Sequence, residues 1–127
     1  MTIPMSLLAW TAFLGTLHAV STGFGNALEH GVSYSFSPRD EQKPISVGWS
    51  RYGRAFANFM QTFPIFAAVV LIAHASFRDH GLATWGAQFY FWGRVVYVPL
   101  YVTGSKYRTY AFLFSLLGLL LIFLRIA

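Results

Sequence analysis

The sequence predicts an all-α integral membrane protein, an up-down bundle of four helices, and three observations predict it. Hydrophobic residues make up 56% of the 127-residue chain and charged residues 10%, against roughly 45–50% and about 25% in ordinary soluble domains. The apolar residues come in four blocks, not in the alternating or amphipathic patterns of half-exposed elements. Each block approaches the roughly 20 residues that an α-helix needs to cross a bilayer core. The chain, 1–127, reads as a single domain.

The four helices are expected over about 5–29, 53–77, 82–102 and 110–126, with a polar loop over about 30–52. The first block has no Lys or Arg before Arg39 and is too long for a cleavable signal peptide. Short turns after the second and third blocks make helices two, three and four antiparallel neighbours. The fourth, "AFLFSLLGLLLIFL", reads as lipid-facing, with Ser115 and Gly118 as points of helix contact. In this topology the long loop and the third turn share one side of the membrane. That side carries Arg39, Lys43, Arg51, Arg54, Lys106 and Arg108, and the other only Arg78 and Arg125. The positive-inside rule then places the loop in the cytoplasm and both termini opposite. The net charge of +5 is therefore a topology signal, and no soluble basic face remains for a nucleic acid. The brevity of the chain and the lack of targeting signals lean towards a bacterial inner membrane.

Polar residues interrupt the oily blocks in two places. In "RYGRAFANFMQTFP", Arg54, Asn58 and Gln61 fall within about 60° of one another on a helix, and Arg51 extends the arc. In "RVVYVPLY", Arg94, Tyr97 and Tyr101 span a similar arc, with Arg94 near mid-membrane, where insertion costs about 2.5–3.5 kcal/mol. Pro99 removes a backbone donor and is expected to kink this helix. Arg108 follows just after the turn "GSKY". The first helix carries a quieter line of Thr11, His18, Thr22 and Glu29, with Asn26 beside it. Each feature has a plain reading: Arg39, Lys43 and Arg51 as interfacial cations, Asn58 and Gln61 as inter-helix contacts, the tyrosines as an aromatic belt. His18 reads as a satisfied core histidine, with no second histidine at a metal-ligand spacing, so no metal is expected. The plain reading of Arg94 is an ion pair with Glu29. Taken together, the stripes read as an inward-facing pocket for an anion with several hydrogen-bonding groups, entered from the cytoplasm or the membrane. The chain has no cysteine, so any thiol would come from a ligand.

"RAFANFMQTFP" followed by "FWGRVVYVPLYVTGSKYR" resembles the MAPEG family, the membrane-associated proteins in eicosanoid and glutathione metabolism. The family's R-x3-N-x2-E pattern matches Arg54 and Asn58, and its R-x2-Y-x3-Y-x6-R pattern matches Arg94, Tyr97, Tyr101 and Arg108. The resemblance implies a homotrimer that binds glutathione between subunits, with Arg54, Asn58, Gln61, Arg94, Tyr97 and Tyr101 as binding residues. Arg108 is then the catalytic residue, its charge holding the thiol, of ordinary pKa about 8.5, as thiolate. The function implied is a glutathione-dependent transferase or peroxidase acting on apolar electrophiles or lipid hydroperoxides, with membrane lipids around it. The departures are Gln61 where the family has glutamate, and "NALEHG" where many members end the first helix with arginine; Asn26, Glu29 and His30 are the candidates to stand in there. Gln61 points to the alternative, a non-catalytic scaffold or lipid- and anion-binding protein. A channel using Arg94 for anion selectivity is the third reading, disfavoured by the absence of an inverted repeat.

Overall fold

The computed structural model describes residues 1–31 and 46–127. All regular structure in them is helical: α1 (Ile3–His30), α2 (Val47–Ala75), α3 (Leu82–Val102) and α4 (Arg108–Ile126). The turns 76–81 and 103–107 are tight, so α2, α3 and α4 run antiparallel. The expected cations Arg39 and Lys43 lie outside the described residues.

α2 starts six residues before the expected boundary of 53. Packing extends it. Trp49 lays its indole over Gly25 of α1, where a Cβ would collide with the ring. One turn on, the Tyr52 carbonyl accepts a hydrogen bond from Nε2 of His18 at 2.9 Å. His18 also packs on the Tyr52 ring, 4.1 Å between centroids. It is buried and satisfied, as the sequence suggested. Pro64 and Pro99 both lie within continuous helix, and α3 runs on past Pro99 to Val102.

α1, α2 and α4 are long and apolar enough to cross a membrane. α3 is 21 residues long, about 31 Å at 1.5 Å per residue. It has the length of a span but, with Gln88, Arg94 and several aromatic hydroxyl and indole groups, less of the apolarity. The outward faces carry Trp10, Phe13, Leu17, Val20 and Phe24 on α1, and Leu113, Leu117, Leu120 and Phe123 on α4. A water-soluble monomer rarely exposes so continuous an apolar surface.

Lipid tails are as apolar as leucine, so helices in a bilayer associate through close packing and hydrogen bonds. The α3–α4 seam shows how. Gly86 and Gly118 face each other so closely that a Cβ on either would overlap the other's carbonyl oxygen, and a Cβ on Gly93 would meet Ser115. Backbone lines this contact, so nothing can swing aside. Gly118→Ala is expected to force the helices apart and cost about 1–3 kcal/mol, the usual price of overpacking. The check is the melting temperature in detergent, with Gly23→Ala, where a Cβ meets nothing, as the control.

The bundle has an apolar half and a polar half. Leu7, Phe66, Val70, Ala73, Ala83, Ala87, Tyr90, Leu119 and Ile122 form the core towards the end that holds the termini. At its edge Tyr90 stacks on Phe66 at 4.1 Å and shares a hydrogen bond of 2.9 Å with Thr62. The polar half lies beyond, towards the end carrying Arg51, Arg54, Lys106 and Arg108. Arg51 closes that end of α3, donating to the Val102 carbonyl at 3.3 Å; a cation there complements the helix dipole.

A second polar cluster ties the opposite end. Oδ2 of Asp79 accepts from the Thr2 hydroxyl at 2.7 Å and pairs with Nδ1 of His74 at 2.8 Å. Arg125 donates to the His80 carbonyl at 3.3 Å. The start of α1, the end of α2, the turn and the end of α4 are thereby joined. The His74 hydrogen bond first, and then that from Thr2, hold the Asp79 carboxyl below its ordinary range. A depressed carboxyl contributes stability that is complete above its unfolded value and is lost as pH falls through the folded one. The melting temperature is therefore expected to drop on acidification below about pH 4. Asp79→Asn should start lower at neutral pH and show less of that acid-dependent drop. Parallel wild-type and variant curves would count against the linkage.

Candidate functional site

The expected site residues divide into a connected line and an exposed edge. α3 supplies the middle of the line. Arg94 sits on the same helical face as Tyr90, Tyr97, Ala87 and Ala83, which turns into the bundle. Its side chain is wholly buried, at 0% exposure. Nη1 donates to Oδ1 of Asn58 on α2 at 2.7 Å. The guanidinium carbon lies 4.4 Å from the centroid of the Tyr97 ring and 5.6 Å from that of Phe59, both within cation–π range. Tyr97 packs against Tyr101 one turn on, 5.5 Å between centroids. Tyr101 in turn lies beneath Arg108 of α4, with 5.1 Å from guanidinium carbon to ring centroid. Arg108 is half-buried and also donates to the Ser105 carbonyl at 3.3 Å. Asn58, Arg94, Tyr97, Tyr101 and Arg108 thus form one unbroken line across three helices.

Arg94 has donors to spare. Its Nε and Nη2 are buried and find no acceptor among the described residues. Unpaired buried donors on a charged group are costly, so the arrangement fits a ligand that brings acceptors. The ion pair with Glu29 is absent: Glu29 is exposed near the end of α1, and the partner of Arg94 is the neutral Asn58. Near Glu29, Asn26 bonds back to the Thr22 carbonyl at 3.3 Å.

Arg54 and Gln61 correct an expectation. The sequence predicts an α2 stripe that points into the bundle, yet both residues are exposed on this chain, and of the stripe only Arg51 and Asn58 are partly covered. The buried face of α2 is Ala55, Phe59, Thr62, Phe66, Val70 and Ala73, whose centre lies about 110° round the helix from the stripe. The stripe therefore runs along the outer margin of the bundle, with Asn58 at its inner edge. Arg54 is held there by Ser50, whose hydroxyl accepts from Nη1 at 2.6 Å. Ser50 was missed by the sequence reading. Its signal is the i, i+4 spacing to Arg54, which counts only once residues 47–52 are helical.

The early start of α2 also forms a cleft of about 520 Å³ at the same end of the molecule, lined by Ser21, Ser46, Gly48, Trp49, Tyr52 and Val102. It is open on one side and does not include Arg94 or Arg108; the candidate line runs instead from the buried Arg94 and Tyr97 out to the half-buried Tyr101 and Arg108.

What such a line can do follows from its donors. Arg54, Arg94 and Arg108 supply permanent cations, Asn58 and Gln61 supply amides, and the tyrosines supply hydroxyls. No carboxylate pairs with any of these arginines among the described residues. The set suits an elongated, multiply anionic molecule. No curated protein matches the chain closely enough to name an activity. The model of the MAPEG family matches residues 1–127, the whole chain. The chain therefore belongs to the MAPEG family, as a helical membrane protein of the group connected with glutathione and eicosanoid metabolism.

Proposed function

We propose that this protein is a glutathione-dependent membrane transferase or peroxidase that acts on apolar electrophiles or lipid hydroperoxides. The observation that carries the reading is the line Asn58–Arg94–Tyr97–Tyr101–Arg108 with two buried guanidinium nitrogens left over. Glutathione, when bound, supplies a nucleophilic thiolate. Arg94 and Asn58 bind its carboxylate or peptide acceptors, Tyr97 and Tyr101 donate along its length, and Arg54 and Gln61 close the outer margin. Arg108 is the catalytic residue. A cation within about 4–6 Å lowers a thiol's pKa by one to three units, which makes the thiolate the dominant form near neutrality. The apolar second substrate arrives from the lipid.

The exposure of Arg54 and Gln61 supports the second part of the proposal: the site is completed by a neighbouring copy in a homotrimer. A cationic stripe at bilayer depth is costly when it faces lipid, and a second chain covers it. The excess of cations at that end supports, by the positive-inside rule, a site on the cytoplasmic side.

The test is turnover in proteoliposomes, with glutathione and either an aryl halide or a fatty-acid hydroperoxide. Conjugation or hydroperoxide reduction above the uncatalysed rate supports the reading. Gln61 favours a second one, since an exposed neutral amide supplies no charge to a ligand ammonium group: a membrane scaffold that binds anions or lipids without chemistry. Glutathione binding with no turnover of either substrate would decide for it.

A further inference from the structure

The face of α3 opposite the candidate site carries a groove that the proposed reaction does not use. Trp92 and Val96 lie about 160–200° round the helix from Arg94. With Leu100 on α3 and Tyr110 and Phe114 on α4, they wall a groove of about 460 Å³ floored by Gly93 and Ala111. The groove exists because of the seam. The close approach at Gly93 and Ser115 leaves no side chain larger than the Ala111 methyl on the floor, while large flanking rings rise on both sides. It meets a second apolar groove, beside Trp85 and Phe89, through the shared Trp92 and Phe114.

Its mouth is chemically different from its floor. At the end of the bundle that gathers the cations, Tyr107 and Tyr110 are exposed and Lys106 stands 5.7 Å from the centre of the Tyr107 ring. No carboxylate among the described residues pairs with Lys106. An ammonium and two phenols therefore sit at interfacial depth above an apolar trough that descends towards mid-membrane. An anionic headgroup on an alkyl chain has that same sequence of chemistries. We infer that this groove is a binding site for one acyl chain of an anionic phospholipid, whose headgroup is held by Lys106 and the hydroxyls of Tyr107 and Tyr110. The uncharged groove would accept any acyl chain; Lys106 makes the site selective.

Trp92 is its own reporter. The full-length protein is reconstituted in vesicles of phosphatidylcholine with rising fractions of brominated phosphatidylglycerol, or of brominated phosphatidylcholine as the neutral probe. The contribution of Trp92 is isolated as the difference between wild type and Trp92→Phe. Half-maximal quenching of that contribution is expected at about fivefold lower mole fraction of the anionic lipid, the worth of one basic residue at an anionic surface. Lys106→Gln should remove the preference and leave quenching by the neutral lipid unchanged. Val96→Phe, which fills the trough, should reduce quenching by both. Equal quenching by the two headgroups in the wild type would overturn the inference, leaving only ordinary boundary lipid. Absence of quenching by either would overturn it too, because a second copy of the chain would then occupy the groove.

Discussion

Arg108→Ala is expected to abolish the thiolate absorbance that appears when the wild-type protein is titrated with glutathione at pH 7. A free thiol of pKa about 8.5 is only about 3% ionised at that pH. A lowering by two units, within the range an adjacent cation produces, raises this to roughly three-quarters. Loss of the cation should therefore reduce the signal per bound ligand by more than tenfold. Arg108→Lys separates charge from shape. It keeps a point charge but gives up the planar fork that rests on Tyr101, so an intermediate signal is expected. The fold should be little affected, since Arg108 is only half-buried and, among the described residues, its side chain donates only to a carbonyl in the adjoining turn. A wild-type titration that gives no thiolate while the protein remains a folded oligomer would remove the enzyme reading before any other. A signal retained in Arg108→Ala would instead transfer the catalytic role elsewhere on the line.

The same titration bears on Gln61. Gln61→Glu restores an acid beside Arg54 and Asn58 without changing the shape of the side chain. If the ligand's ammonium group lies there, its apparent affinity should rise by about tenfold or more, the worth of a charge-assisted hydrogen bond. No change would place the ammonium away from α2, where an acid of a neighbouring copy could meet it.

The helices were legible in the sequence because a bilayer imposes a length, and blocks of that length stand out in a chain so poor in charge. Arg94 was legible for a related reason: a guanidinium at mid-membrane is expensive and must be explained. Which way the α2 stripe faced was not legible. In a soluble protein the apolar residues of a helix mark its inner face. In a membrane, lipid and protein core are equally apolar, so Met60 and Ile65, which face outward, and Phe59 and Phe66, which face inward, look alike. The early start of α2 was hidden because it depends on Gly25 and His18 receiving Trp49 and Tyr52, a contact between residues far apart in the chain. The Thr2–Asp79–His74 cluster was hidden by the same separation. The line from Asn58 to Arg108 could be assembled from spacing because each helix presents its members within one narrow arc, but the bond from Arg94 to Asn58 rather than to Glu29 needed coordinates.

That bond leads to the second large effect, a reversal of sign between two substitutions at one contact. Asn58→Leu leaves the buried guanidinium with a third unpaired nitrogen, and loss of a hydrogen bond to a charged group costs about 1.5–3 kcal/mol. Arg94→Leu leaves only a neutral amide oxygen unpaired, at about 1–3 kcal/mol, and also removes a charge whose placement at mid-membrane costs about 2.5–3.5 kcal/mol. The melting temperature should therefore fall in Asn58→Leu and stay level or rise in Arg94→Leu. The double variant, with neither polar group, should equal or exceed wild type, as buried charges replaced by apolar side chains often do. Ligand binding is expected to run the other way. Glutathione at a hundred times its dissociation constant stabilises a protein that binds it by about 2.7 kcal/mol, and both Arg94 variants should lose that gain. Stability kept while the ligand's effect is lost would mean that Arg94 is retained for the molecule it holds. If Arg94→Leu unfolds and the double variant is no better, the guanidinium is instead a structural link between α2 and α3, and the spare donors on Nε and Nη2 carry no information about a ligand.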